Sequence, residues 1–447
     1  MPAYKLNPAD KRLLGLFNVG PVVERFGEGF VDFASTVLYI IESRLVSMDR
    51  AFHLTKRALG LEAPLKDYYN AVLDIVRNYA YLQFASRIMF GTVTRKSIVK
   101  AWLAMHGDSH YARRLRKRAR AGLDAVESGL GKLKDEDPVQ YLSVRYSFPR
   151  NLVEALLGVL DQPSVEELLK SLNRRVLWLR VNTLKADLDK VVKAVEGLGI
   201  EFVQHRDFPF MLMVTNFKGP YGRTRLFKEG ILIPQDISSV LTVLNLKPQE
   251  GDVILDACAA PGMKTSLIMQ LTENNAEVYA VDVSRRRVER MVRVLKWLGV
   301  DYSKVHVIRA DSTRLSIVGG SIDKALIDAP CTSSGAISKD PGVKLMLEAK
   351  WGLVKYYSDI QKGILLNVLN NLKAGSEVIY ATCSILPQEG EEVVEYALSR
   401  APIRLVKPDV GGLVDGYGKY SVSRSVGRTM PHIHNGEGFF ISRIIKE

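Results

Sequence analysis

Two cysteines close short apolar runs in similar settings: Asp328-Ala-Pro-Cys331 and Ala381-Thr-Cys383-Ser384. Each thiol taken alone reads as inert packing. Emerging from adjacent strand ends into one cleft, the two are within reach of one substrate. One chemistry needs such a pair. Carbon 5 of a pyrimidine is a poor nucleophile until something adds covalently at carbon 6, and a thiolate suits that addition. After carbon 5 is substituted its proton must leave, which calls for a second group acting as base.

Four acids, Asp256, Asp282, Asp311 and Asp328, end apolar runs in consecutive units. A single acid after a strand is commonly a helix cap. Four at carboxyl ends of parallel strands mark the edge where open α/β sheets bind ligands. An acid after the second strand can accept hydrogen bonds from ribose hydroxyls, and one after the third can receive an adenine amino group. Asp256 leads through Cys258, Ala259, Ala260, Pro261, Gly262 and Met263 to Lys264, a tight small-residue turn entering a helix. That turn lacks both the dinucleotide glycine spacing and a Walker consensus. Backbone amides without a phosphate cradle suit S-adenosylmethionine, which has no phosphate. Arg287 reads either as support for this site or as a solvated helix position.

From about Gly230, strands alternate with amphipathic helices, the pattern of a doubly wound α/β fold with a parallel sheet. Strands are predicted at 278–281, 305–308, 325–327 and 378–381, with a last one in 438–446. Ser284 is placed as the cap of a helix burying Met291 and Leu295. Upstream, 138–225 reads as a small α/β module, with strands at 177–182, 201–204 and 211–215. Residues 123–137 carry glycines and end at Pro138, the signature of a linker. Residues 1–122 read as all helix from apolar positions such as Tyr68, Val72 and Ile75. Three domains are expected: 1–122, 138–225 and 226–447.

Near the end of the helical part, Arg113, Arg114, Arg116 and Lys117 form a basic run. With a net charge of +13, this run suits either solvent or a nucleic-acid backbone. The three cysteines include no Cys-x-x-Cys, which argues against a disulfide framework or zinc site. His432 and His434 lack further ligands, so no metal is expected. The apolar stretch 30–46 is broken by Asp32, Glu42 and Arg44, and no secretory pattern precedes it. A cytoplasmic monomer is expected.

The Pro-Cys and Thr-Cys motifs together resemble the Sun/Fmu/RsmB class (RsmB/NOP/NSUN family) of RNA cytosine-5 methyltransferases. So do Ala259-Ala-Pro-Gly-Met-Lys264, Gln235-Asp236 and Pro431-His-Ile-His-Asn-Gly-Glu-Gly-Phe-Phe440. Arg180-Val-Asn182-Thr183 resembles the signature of that family's RNA-binding module, and Ser147-Phe-Pro149 its start. The front part resembles a NusB-like domain through Asp49-Arg50-Ala51 and 65–81. Met263 departs from the family's usual small residue. The resemblance implies that Cys383 attacks carbon 6 and Cys331 promotes release, although DNA cytosine methyltransferases use a Pro-Cys thiol as nucleophile. It further implies that Asp328 holds the cytosine edge and Lys264 lies beside the pocket. Asp282 holds ribose and Asp311 adenine, while Arg180 and Asn182 serve RNA binding. The expected substrate is RNA, ribosomal ahead of transfer RNA. A non-catalytic RNA-binding assembly factor and a DNA methyltransferase are the rival readings.

Overall fold

Apolar residues recurring every three or four positions dictate the first part of the chain. The computed structural model describes residues 26–61, 65–217, 219, 221–316 and 322–447. Within it, helices succeed one another from Glu28–Arg44 to Gln162–Leu172. Residues 1–25 of the expected helical domain lie outside the described residues. The chain forms two compact units: residues up to Asn173 with Lys339–Trp351, and Arg174–Ser338 with Gly352–Glu447.

The first unit packs Phe26, Phe30, Phe33, Phe52, Tyr68 and Trp102 into its core. Several of its helices start where a side chain satisfies an orphan amide, as at Thr94, whose hydroxyl and Ser97 form a capping box. The expected linker is instead a helix, Leu123–Glu136, burying Val126 and Leu130. Its Gly129 is a packing residue rather than a breaker: a Cβ there would meet Ile88 Cδ1 at 3.1 Å. Asp137 then caps a helix with Pro138 at its first turn. The boundary expected at 138 therefore falls inside a continuous helical unit. Lys339–Trp351 joins this unit because Leu345 enters its core. Beside it, the buried Lys344 donates to Arg77 O and Asn173 Oδ1 at 2.9 and 2.6 Å.

The second unit holds two sheets. The smaller contains β1 (Leu177–Val181), β2 (Glu201–Gln204), β3 (Met211–Asn216) and β4 (Leu232–Pro234), in the order β2-β3-β1-β4. All its pairings are antiparallel, and β4 carries the sheet past the expected boundary at 225. The larger sheet is built from β5 (Val253–Asp256), β6 (Glu277–Val281), β7 (Val305–Ile308), β8 (Lys324–Asp328) and β9 (Glu377–Thr382). It is completed by β10 (Ile403–Val406), β11 (Val414–Asp415), β12 (Val426–Thr429) and β13 (Phe439–Lys446).

The strands β7-β6-β5-β8-β9 run parallel. The chain winds outward in both directions from β5, leaving a crevice at the carboxyl ends there. β13, the last of the predicted strands, runs antiparallel against β9, and β10 and β12, which the alternation did not reveal, pair with it. Successive residues feed opposite layers. Ile254, Val278 and Leu326 pack on one face, and Leu255, Val281 and Ile327 on the other.

Candidate active site

Register brings the chemistry-bearing residues to one edge. Asp328 lies opposite Ala381 in the β8–β9 ladder, so both strands release their cysteine loops at the same level. Ala329 N donates to Ala381 O at 3.0 Å and Gly335 N to Cys383 O at 3.0 Å. Gly438 N in turn bonds Gly335 O at 2.9 Å. A Cβ on Gly335 would sit 1.8 Å from Gly438 O, so no other residue fits this seam. The outcome is a sulfur pair: Cys331 Sγ and Cys383 Sγ are 3.0 Å apart, both half-buried.

The Cys331 thiol is pushed well up, first by its hydrogen bond to Cys383, then by burial and by the Cys383 and Glu389 charges. Either sulfur can be the donor in this contact. Cys258, the third cysteine, is pushed well up by burial and by the charges of Asp256, Asp328 and Asp282. Two of those acids are paired, Asp328 with Lys264 and Asp282 with Arg287.

Lys264, 8 % exposed, donates to Asp328 Oδ2 at 2.5 Å. Its ammonium also lies 5.3 Å from the Phe439 ring centre. Asp282, 3 % exposed, accepts from Ser284 N at 2.9 Å and faces Arg287 Nη2 at 3.3 Å. Arg287 Nη2 also donates to Ala260 O, so this arginine ties the turn to the acid of the second strand. In that turn Gly262 has φ 98°. A Cβ there would press on Met291 and Leu295 at 3.1 Å. Cys258, Ala259, Ala260, Pro261 and Met263 complete the turn, the last opening the helix Met263–Leu271. Asp311 is exposed and accepts from Thr313 N and Oγ1 at 3.0 and 2.8 Å, bonds that hold its carboxyl below the usual range.

Asp256 is buried, with Oδ2 accepting from Thr265 Oγ1 at 2.7 Å and Oδ1 without a hydrogen-bond partner. Burial pushes its carboxyl up to about 7. The folded protein thus holds this proton more tightly than the unfolded chain, where an aspartate titrates near about 3.9. The group costs nothing below that value and destabilises increasingly as pH rises to about 7. Asp256→Asn is expected to become progressively more stable than wild type over this window, by roughly 2–4 kcal/mol at its top. Urea unfolding of both proteins at pH 5 and pH 8 checks it.

The expected RNA contacts divide. Arg180 is fully buried, donating to Ser266 Oγ at 2.8 Å, with Nε and Nη1 unpartnered. Asn182 is buried too, its amide bonding Gly230 O and Leu298 O at 2.9 and 2.8 Å. Both brace the small sheet on its own unit instead of facing solvent, because positions two apart share the face that meets Ser266 and Leu298. Arg113, Arg114 and Lys117 are exposed on the helix His110–Arg118. Arg116 is also exposed, but its Nη1 bonds Ala104 O and Gly107 O at 3.0 and 2.9 Å, closing the preceding helix. His434 bonds Met430 N and Gly412 O through its two ring nitrogens. Among the described residues there is no group of three His, Cys, Asp or Glu placed to hold a metal, and no helix long and apolar enough to cross a membrane.

The main residue missed from sequence is Glu389, which bonds the residues directly after both cysteines. It sits in a run of acids that reads as surface charge, and only its six-residue distance from Cys383 could have drawn notice.

A doubly wound sheet with acids at its strand ends and a small-residue first turn defines a Rossmann-like methyltransferase. Residues 243–445 match the family described as 16S rRNA methyltransferase RsmB/F. Ribosomal RNA small subunit methyltransferase B of Klebsiella pneumoniae is 30% identical over 68% of this chain and 67% of its own length. The tRNA (cytosine(49)-C(5))-methyltransferase of Pyrococcus abyssi is 32% identical over 60% of this chain and 87% of its own. The chain belongs to the RsmB/NOP/NSUN family of RNA cytosine-5 methyltransferases. It spans only 40% of the length of the mouse 28S rRNA (cytosine-C(5))-methyltransferase, to which it is 33% identical over 68% of its own. Among solved structures, PH0851 covers 95% of this chain and all of its own at 25% identity, with a TM-score of 0.73.

Proposed function

We propose that this protein methylates carbon 5 of cytosine in RNA, using S-adenosylmethionine. The observation that carries the reading is the pair of sulfurs 3.0 Å apart beside Asp328 and Lys264. The residues present fit the cofactor. The turn after β5 lacks a phosphate-cradling glycine pattern, and Asp282 and Asp311 offer acceptors for ribose hydroxyls and the adenine amino group. The turn 258–263 and Arg287 frame the same cleft. When bound, S-adenosylmethionine supplies an electrophilic methyl group.

The chain's own residues handle the base. Asp328, oriented by Lys264, hydrogen-bonds the cytosine edge and steadies the adduct. Cys383, as thiolate, forms a bond to carbon 6 while the carbon 5–carbon 6 π electrons move toward carbon 5. Once carbon 5 is methylated, the carbon 6–sulfur bond breaks and the double bond reforms. Cys331 passes its proton to the departing sulfur and, as the resulting thiolate, accepts the proton leaving carbon 5. A paired base hides carbon 6, so the target must be single-stranded or flipped out.

Ribosomal RNA is the favoured substrate, because a helical unit with a basic helix accompanies the catalytic one. Transfer RNA is the second reading, favoured by the coverage of the Pyrococcus abyssi enzyme. Methyl incorporation from labelled cofactor into RNA but not DNA tests the activity, and bisulfite sequencing of total RNA with and without active protein finds the cytosine. No incorporation would leave the assembly-factor reading. The exposed Arg113, Arg114 and Lys117 are assigned to the RNA backbone. Changing all three to glutamine is expected to weaken binding and flatten the slope of log Kd against log salt by about 2, at roughly 0.7 per lost single-strand contact. A filter-binding series over salt concentration measures it.

A further inference from the structure

We propose that Glu389 is a positioning residue that fixes the separation of the two thiols. The assignment rests on reading Cys331 and Cys383 as the chemical pair. Glu389 is fully buried, and its carboxylate reaches the neighbours of both cysteines. Oε1 accepts from Thr332 N at 2.8 Å, and Oε2 from Thr332 Oγ1 at 2.5 Å and Ser384 Oγ at 2.6 Å. Thr332 comes directly after Cys331, and Ser384 directly after Cys383.

Gln361 completes the clamp. Its Nε2 donates to Glu389 Oε1 at 3.1 Å and to Pro330 O at 2.8 Å, so the residues on both sides of Cys331 are held from one point. Ser334 Oγ lies 2.8 Å from Ser384 Oγ and accepts from Ile385 N at 3.1 Å, binding the two loops a second time. Four donors converge on the carboxylate, which is what an ionised carboxylate can accept and what an amide cannot. The backbone of Glu389 is fixed as well: its carbonyl takes Tyr380 Oη at 2.8 Å and Thr382 Oγ1 at 3.1 Å. One side chain therefore sets where each sulfur stands. Glutamine turns one acceptor into a donor, facing either the two hydroxyls on Oε2 or the two N–H groups on Oε1, so at least one link to a cysteine loop is weakened.

The test uses the full chain and dibromobimane, which bridges two thiols that lie close together with loss of two bromides. Wild type is expected to be bridged between Cys331 and Cys383. Glu389→Gln is expected to be bridged at least tenfold more slowly, while Cys258 alkylation and the unfolding midpoint change little. Glu389→Asp, which keeps the charge, is expected to recover part of the rate. On RNA, Glu389→Gln should accumulate covalent protein–RNA adduct, with KM for RNA changed less than kcat. Bridging of Glu389→Gln at the wild-type rate overturns the proposal, as does an equal loss in both variants. If bridging depends on Glu389 but wild type methylates no RNA, the clamp stands and the proposed function falls.

Discussion

Replacing Cys331 with alanine is expected to convert the protein into one that stays covalently joined to its RNA. The Cys331 thiol is pushed up by its contact with Cys383 and by burial, and its partner sulfur is 3.0 Å away. Removing it leaves Cys383 free to attack carbon 6. The departing sulfur then lacks its proton donor and carbon 5 lacks its base, so the adduct forms and persists. Turnover should fall by about 10²–10⁴-fold, the scale of a lost general acid–base group. A band resistant to denaturing gel electrophoresis, sensitive to nuclease and dependent on RNA, is the readout. Cys383→Ala should show no such band and lose at least ~10³-fold of activity, because it removes the sulfur that bonds carbon 6. Exchange of the two phenotypes would reverse the roles while preserving the pair.

Much of this arrangement was legible from residue type and order, for a physical reason. A parallel strand buried on both faces must be an apolar run, and the chain leaving its carboxyl end must be loop. Asp256, Asp282, Asp328 and Cys383 announce themselves by standing immediately after such runs. The turn 258–263 is similarly local, since the positive φ of Gly262 calls for glycine there. The features that remained hidden are long-range or serve two purposes. Gly129 carries the mark of a linker, yet it lets two helices approach. Arg180 and Asn182 carry the mark of an RNA contact, yet they share the sheet face that packs against Ser266 and Leu298, partners far away in sequence. Glu389 shares an acidic run with Glu391 and Glu392, and hydropathy cannot tell which of them is buried. The three helical residues Val343, Lys344 and Leu345 read as part of the catalytic domain, because nothing local signals that a segment will pack with a different unit.

Glu391, two residues beyond the clamp, grounds the second large effect. It forms an ion pair with Arg428 in which the side chains are 0 % and 1 % exposed. Arg428 Nε and Nη2 reach Glu391 Oε1 and Oε2 at 2.8 and 2.5 Å, and Oε1 also takes Tyr417 N at 2.9 Å. The guanidinium lies 4.0 Å from the Tyr417 ring centre, and its Nη1 donates to Ser384 O at 3.2 Å. Arg428→Ala leaves a carboxylate in the core with no counter-charge, and is expected to cost roughly 3–5 kcal/mol of stability. Denaturant unfolding measures this as a lower midpoint. The paired change Arg428→Met with Glu391→Met is expected to restore most of the loss, because burying two apolar chains avoids desolvating two charges. Activity should not return in step. Ser384 is bonded directly to Cys383, and without Nη1 its carbonyl loses a donor that no methionine replaces. A double variant as stable as wild type but slower in turnover would assign this ion pair to the placement of a sulfur. Full recovery of both properties would assign it to stability alone.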